Sequence, residues 1–217
     1  MVTVAVVDYG MGNLRSVSRA LEHADPRARV VVTDSPRHIR SADRVVFPGQ
    51  GAIRSCMNEL QRLELLGVIG EVARERPFLG ICLGMQALLE HSEEDGGVDG
   101  LGLVPGRVRH FRDGFADAGV EAPGKVPLMG WMRTSICRSH PLFAGIDDGS
   151  WFYFVHSYFV SVVPDWTVAT ATYGVEFTAA LGQANVMAVQ FHPEKSQQSG
   201  LQMLRNFCQW DGRDSID

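Results

Sequence analysis

Through the first half of this chain short apolar runs alternate with amphipathic stretches, and that alternation leaves few folds open. VTVAVVDYG, RVVVTD, RVVFPG and PFLGI read as strands. NLRSVSRALEHA places Leu14, Val17 and Leu21 on one helical stripe, and AIRSCMNELQRLELLGVIGEVARE, after Gly51, is mostly helical. Repeats of this kind build parallel β-α-β units. From about residue 98 the pattern changes to short strands and Gly/Pro-rich turns, in GRVRHF, KVPLMGWM, WFYFVHSYFV, WTVATATY and FTAALGQANVMAVQF, whose spacing favours antiparallel pairing. GLQMLRNFCQW has helical spacing in Leu201, Leu204 and Phe207 and closes the fold. The expectation is an α/β protein: a doubly wound, mostly parallel central sheet with helices on both faces, plus short antiparallel strands.

A chain of 217 residues holds one well-buried domain, here 1–217, with 211–217 expected as a frayed polar tail. SEEDGGVDGLG reads as a mixed loop, and no linker, repeat or low-complexity segment divides the halves. The 45% hydrophobic and 21% charged fractions are those of an ordinary globular protein. No apolar run approaches the roughly 20 residues that span a bilayer, and the N-terminus lacks the features of a signal peptide. Cys56, Cys82, Cys137 and Cys208 are not spaced for a metal site or a disulfide framework, so a cytoplasmic setting is expected, with no metal and no cofactor. The net charge of −5 argues against general nucleic-acid binding, while Arg107, Arg109 and Arg112 form a local basic cluster.

In α/β sheets ligands collect beyond the carboxyl ends of the strands, and three such ends carry chemistry. Gly80-Ile81-Cys82-Leu83-Gly84 has the G-x-nucleophile-x-G form of an elbow, in which small neighbours let a strand and a helix approach until the central side chain is held out in a strained turn. A helix is expected from Gln86 through Glu90, its start favouring a thiolate, with His91 on an exposed position of it. An inert buried cysteine is the alternative. In VMAVQFHPEKSQ a strand runs into His192-Pro193-Glu194; if extension continues through Pro193, His192 and Glu194 point the same way, and the carboxylate orients the imidazole. A turn with a surface ion pair is the alternative. In VVFPGQGA, Gly49 and Gly51 leave backbone N–H groups accessible that, with the N–H of Leu83, suit an oxyanion hole; an ordinary turn is the alternative. DYGMGN lacks the third glycine of a dinucleotide site. Cys56 and Cys208 read as packing residues, and Tyr9, Tyr153 and the aromatic WFYF as sheet core.

In GICLGMQ and HPE the chain resembles the class I glutamine amidotransferases. DYGMGNLRSV, ADRVVFPGQGA, GLGLVPGRV, VPLMGWM, FYFVHSYFV and HPEKSQ extend the likeness nearly end to end, toward the branch formed by the glutaminase subunits of imidazole glycerol phosphate synthases in histidine biosynthesis. The resemblance implies Cys82 as nucleophile toward L-glutamine, His192 as base and later acid, and Glu194 as its orienting carboxylate. It implies oxyanion donors at Gly49, Gln50, Gly51 and Leu83, and a substrate pocket at Gln86, His156, Ser157 and Tyr158. It also implies a heterodimer with a (β/α)8-barrel synthase that receives the ammonia; Trp131, Arg107 and Arg109 are expected on the partner face. Gln50 stands where the branch carries valine, and Leu128 and Met132 where it carries histidine and asparagine. A paralogue feeding another acceptor synthase, or a cysteine hydrolase on the same scaffold, is the alternative reading.

Overall fold

The computed structural model describes residues 1–214. The chain begins with strand β1 (Thr3–Val7), helix α1 (Leu14–Ala24), β2 (Arg29–Thr33), α2 (Pro36–Ser41) and β3 (Arg44–Gly49). Two helices follow, α3 (Ile53–Arg62) and α4 (Leu66–Glu75), where one helical stretch was expected; Glu64, at φ 58°, makes the break. Next come β4 (Phe78–Cys82), the single turn α5 (Leu83–Gln86), β5 (Leu89–Ser92), β6 (Val98–Asp99), β7 (Val104–His110) and α6 (Phe111–Ala118). The second half contributes β8 (Leu128–Arg133), β9 (Ser135–Ile136), β10 (Trp151–His156), β11 (Tyr158–Val160), β12 (Thr167–Tyr173), β13 (Val175–Gln183) and β14 (Val186–Val189), and ends with α7 (Gln197–Gln209).

Eight strands form the main sheet in the order β2-β1-β3-β4-β14-β13-β12-β9. The first five run parallel, and β13, β12 and β9 extend the sheet antiparallel. Strand alternation splits the core across the two faces. Val4, Val6, Val46, Leu79 and Ile81 pack with Val17 and Leu21 of α1 and Met203, Leu204 and Phe207 of α7. Val7, Val45, Phe47 and Phe78 face the other way, onto Ile39 of α2, Ile53, Cys56 and Leu60 of α3, and Val68 and Val72 of α4. This is the doubly wound α/β arrangement, and Tyr9, Cys56 and Cys208 are buried in it as packing residues. A four-stranded sheet (β11-β7-β5-β6) and the β8–β10 pair lie beyond the main sheet. Among the described residues no helix is long and apolar enough to cross a membrane.

Three details depart from expectation. The helix after Cys82 stops at Gln86, and Leu89 to Ser92 form a strand. Long-range pairing wins over local helical spacing here: the Leu88 carbonyl accepts from the N–H groups of Leu103 and Val104, and Leu89 pairs with Val104 on β7. His91 therefore sits on a strand, its Nδ1 2.8 Å from Asp99, and not on a helix. After His192 the chain does not stay extended but turns into a 3₁₀ turn, Pro193–Lys195. Finally, residues 211–214 are tied to the body: the Trp210 indole donates to the Arg213 carbonyl at 2.6 Å, and Asp214 accepts from the Ala184 N–H at 2.7 Å. The rest of the expected tail, 215–217, lies outside the described residues.

The strand β14 positions the site. It returns from the antiparallel half to lie parallel to β4, pairing Ala188 with Gly80 and Val189 with Ile81, so the ends of both strands reach the same sheet edge. Side chains are excluded from the crowded elbow. A β-carbon on Gly84 would fall inside the Phe47 carbonyl, and one on Gly80 would press on Ala188 at 3.1 Å. Gly67, in α4, faces open space. We predict that Gly84→Ala lowers stability by ~3 kcal/mol in urea titrations, because the neighbour is rigid backbone. Gly67→Ala is expected to raise it by ~0.5–1 kcal/mol through the lost flexibility of the unfolded chain. Equal effects at both positions would contradict the close-approach account.

Candidate active site

Cys82 ends β4 with φ 54° and ψ −109°, a backbone conformation that costs of order 1–3 kcal/mol for a residue other than glycine and turns the side chain out of the sheet. The strain is the elbow expected from the glycine spacing. The thiol is 7% exposed and faces a pocket of about 380 Å³. Gln50, Gly51, Leu83, Gln86, His156, Ser157, Tyr158 and His192 line the same pocket, so the residues expected at the site converge there from β3, β4, α5, β10, β11 and the end of β14. Gly49 pairs with Cys82 in the sheet and lies just behind the lining.

The imidazole of His192 sits between Glu194 and Cys82. Its Nδ1–H donates to Glu194 Oε1 at 2.9 Å, and both side chains are almost fully buried. The 3₁₀ turn, rather than a continued strand, folds the carboxylate back onto the ring. Nε2 makes no formed hydrogen bond, but Cys82 is close enough to influence its charge. Burial alone would lower the His192 pKa; the Cys82 and Glu194 side chains outweigh it and push it up to about 9. The contact with sulfur thus falls outside hydrogen-bond geometry while its electrostatic effect is present, as is common in catalytic sites without substrate. At neutral pH His192 is an imidazolium beside the sulfur.

Opposite it, His156 behaves in reverse. Its Nδ1–H donates to the Tyr158 carbonyl at 2.7 Å, and burial pulls its pKa down to about 4 despite that bond, so the ring is neutral. The Tyr158 carbonyl also accepts from Gln86 Nε2 at 3.0 Å, and the same Nε2 donates to Gln190 Oε1 at 3.0 Å. Gln190 Nε2 in turn lies 3.7 Å from Cys82 Sγ. A buried amide relay thus runs from β11 through α5 to the sulfur. Because its amide nitrogen is engaged on two protein oxygens, Gln86 serves the architecture of the pocket as well as facing into it.

Sequence reasoning missed Gln190, although a fully buried glutamine in the apolar run VMAVQF was the available signal. It missed Glu94 too, which reaches the pocket from a 3₁₀ turn inside the supposed mixed loop and accepts from the Ile53 N–H at 2.9 Å. Nothing in the local pattern marks it. DYGMGN, set aside as a failed dinucleotide motif, packs against the glycine loop: a β-carbon on Gly49 would strike the Tyr9 hydroxyl, and one on Gly51 would lie 2.8 Å from Met11.

The two histidines of the pocket make opposite contributions to stability. The folded value for His192, about 9, lies above the ordinary 6.5, so its contribution is complete below pH 6.5 and is lost as pH rises through about 9. That for His156, about 4, lies below, so its contribution is present above pH 6.5 and lost as pH falls toward 4. In urea unfolding the stability difference between wild type and His192→Gln should shrink from pH 6.5 to 9, and that between wild type and His156→Gln should shrink from 6.5 to 4. PH-independent differences would contradict these assignments.

Comparison with known proteins agrees with this geometry. Residues 5–210 match the family model for glutamine amidotransferase class-I. The chain is 55% identical over 214 residues to the imidazole glycerol phosphate synthase subunit HisH of Pseudomonas putida, covering 98% of this chain and 100% of that one. It is 57% identical over 215 residues to the subunit of the same name from Nitrosococcus oceani, covering 98% and 99%. The solved structure of a glutamine amidotransferase, 16% identical, shares the fold over 95% of this chain and 99% of that one, with a TM-score of 0.69. The chain belongs to the class I glutamine amidotransferases.

Proposed function

We propose that this chain is the glutaminase subunit of an imidazole glycerol phosphate synthase, acting in the cytoplasm in histidine biosynthesis. It hydrolyses L-glutamine to glutamate and delivers the ammonia to a (β/α)8-barrel partner. The observation that carries the chemistry is Cys82 and His192 facing one pocket with Glu194 hydrogen-bonded behind the imidazole, in a chain more than half identical along its length to subunits of that name.

The geometry supports the following steps. Cys82 Sγ attacks the glutamine carboxamide carbon as a thiolate while His192 holds the proton. The carbonyl oxygen becomes an oxyanion, for which the N–H groups of Gly49, Gln50, Gly51 and Leu83, at and just behind the pocket wall, are the proposed donors. His192 passes its proton to the leaving nitrogen, the C–N bond breaks, and a γ-glutamyl thioester and ammonia result. His192, now neutral, takes a proton from water, whose oxygen attacks the thioester; glutamate leaves and the thiol is restored. Glu194 keeps Nδ1 protonated and Nε2 aimed at the reaction throughout. Glu94, a carboxylate at the pocket wall, suits the α-amino group of the substrate.

The outer face of the β8–β10 pair supports a docking partner. Its cross-strand pairs are Met129 with Val155, Trp131 with Tyr153 and Arg133 with Trp151. Met129, Trp131 and Trp151 are 66%, 39% and 50% exposed, a costly display of apolar surface unless it is covered. At one end Val155 lines the glutamine pocket, so a protein seated on this ladder receives ammonia where it is made. Arg109 is already matched by Glu93 and Asp117, so Trp131 carries the partner argument more than the Arg cluster does. Of the departures from the branch pattern, Leu128 is buried and Met132 packs against the core, while Gln50 alone lines the pocket.

Three experiments test this reading. A glutamine-analogue electrophile such as 6-diazo-5-oxo-L-norleucine should modify Cys82 and leave Cys56 and Cys208 untouched, since burial holds those thiols at about 12 and about 11. His192→Ala should lower glutaminase turnover ~10²–10⁴-fold with its fold intact by circular dichroism; full turnover would remove His192 from the mechanism. For the docking face, Trp131→Ala should weaken binding of the barrel subunit at least ~10-fold by calorimetry, as loss of a central aromatic anchor does. Undiminished affinity would place the partner elsewhere.

A further inference from the structure

Ser196 does not line the glutamine pocket, yet it holds the backbone of His192. Its hydroxyl donates to the His192 carbonyl at 2.6 Å and accepts from the Tyr153 N–H at 3.0 Å. The His192 N–H completes the ring by donating to the Tyr153 carbonyl at 2.9 Å. Three hydrogen bonds therefore clamp the imidazole-bearing residue to the middle of β10. On its outward side Tyr153 faces Trp131 across the strand pair, the two rings edge to face at 6.0 Å. Ser196 also contributes to the groove bordered by Trp131 and Trp151.

The serine cannot retreat from these contacts. Behind it Gly200 packs so closely that a β-carbon would fall inside the Pro193 carbonyl and lie 2.9 Å from the Ser196 β-carbon. Ser196 itself is 1% exposed, so no solvent replaces a lost bond. Among the described residues the ring has only the Glu194 hydrogen bond to orient it, which leaves its in-plane position to the backbone. Displacements near an ångström are enough to slow a reaction that depends on aligned atoms ~100-fold.

We propose that Ser196 is a positioning residue for His192 and joins the base to the partner-docking face through Tyr153. The proposal rests on the functional reading above. Removing the hydroxyl leaves the Tyr153 N–H without a partner in a dry site and the His192 carbonyl with the Lys195 N–H alone, so both shift to compensate. The base then points less accurately at the leaving nitrogen and the incoming water, while the groups that bind glutamine stay in place.

Steady-state glutamine hydrolysis, measured on the protein assembled with a (β/α)8-barrel imidazole glycerol phosphate synthase subunit, tests it. Ser196→Ala is expected to lower kcat ~10–100-fold with KM within about twofold, in protein whose near-ultraviolet circular dichroism matches wild type. A purely structural serine would lower the melting temperature and leave kcat per folded molecule unchanged, which would overturn the proposal. Ser196→Cys keeps the size and a weaker donor and acceptor. It is expected to fold and to show an intermediate kcat, and it decides the matter if the alanine variant does not fold; wild-type kcat in the cysteine variant would likewise overturn it. Wild-type protein that neither hydrolyses glutamine nor is labelled at Cys82 would defeat the functional reading and this proposal together. Labelled, active wild type alongside an equally active Ser196→Ala would defeat the positioning role alone.

Discussion

The site depends on how closely the backbone of the elbow approaches the strand beside it. Gly84 touches the Phe47 carbonyl, Gly80 leaves only enough room for Ala188, and Gly49 fits beneath Leu83 and the Tyr9 hydroxyl. With β3, β4 and α5 drawn together in this way, the chain can leave the sheet only through a sharp reversal, and Cys82 takes the positive φ that this requires. The sulfur then stands at the sheet edge where the glycine loop after β3 and the end of β14 also arrive. Alanine at any of these glycines would press on the elbow that carries the sulfur before it reached the imidazole or its carboxylate.

Within that frame one pocket sustains two histidines in opposite charge states. His192 is buried between a carboxylate and a thiol and holds its proton far above the ordinary range. His156 is as deeply buried, but its one hydrogen bond is to a neutral carbonyl, and it stays uncharged. The difference lies in the company each ring keeps, not in depth. It places the single mobile proton of the site next to the sulfur and gives the opposite wall a neutral, polar surface suited to a zwitterionic amino acid. The amide relay from Tyr158 through Gln86 and Gln190 joins those walls and ends at Cys82.

Much of this was legible in the residues. The alternation of apolar runs with helical stripes predicts the doubly wound sheet, and G-x-C-x-G predicts the strained elbow, because in both cases local chemistry and global packing agree. What could not be read locally was set by distant pairing. Leu89 joins a strand because Val104 is its neighbour, overriding the helical spacing of Ala87 and Leu88. Glu94 reaches the pocket through a turn with no periodicity, and residues 211–214 are held by contacts with Ala184 and the Trp210 indole. Glu194 meets His192 as expected, but by a 3₁₀ turn after proline rather than by strand alternation. A right contact reached by a different backbone path shows that i, i+2 spacing around a proline constrains proximity more than conformation.

The central claim is that the sulfur of Cys82 becomes covalently bound to the substrate with His192 beside it. The most direct measurement is mass spectrometry of the protein acid-quenched during glutamine turnover and digested with protease. The account predicts a γ-glutamyl adduct on the peptide containing Cys82, accumulating when His192 is replaced by a residue unable to activate water but still permitting slow acylation, and absent in Cys82→Ser. Glutamate formation in the Cys82→Ser protein at the wild-type rate, with no adduct on any cysteine in the wild type, would contradict it.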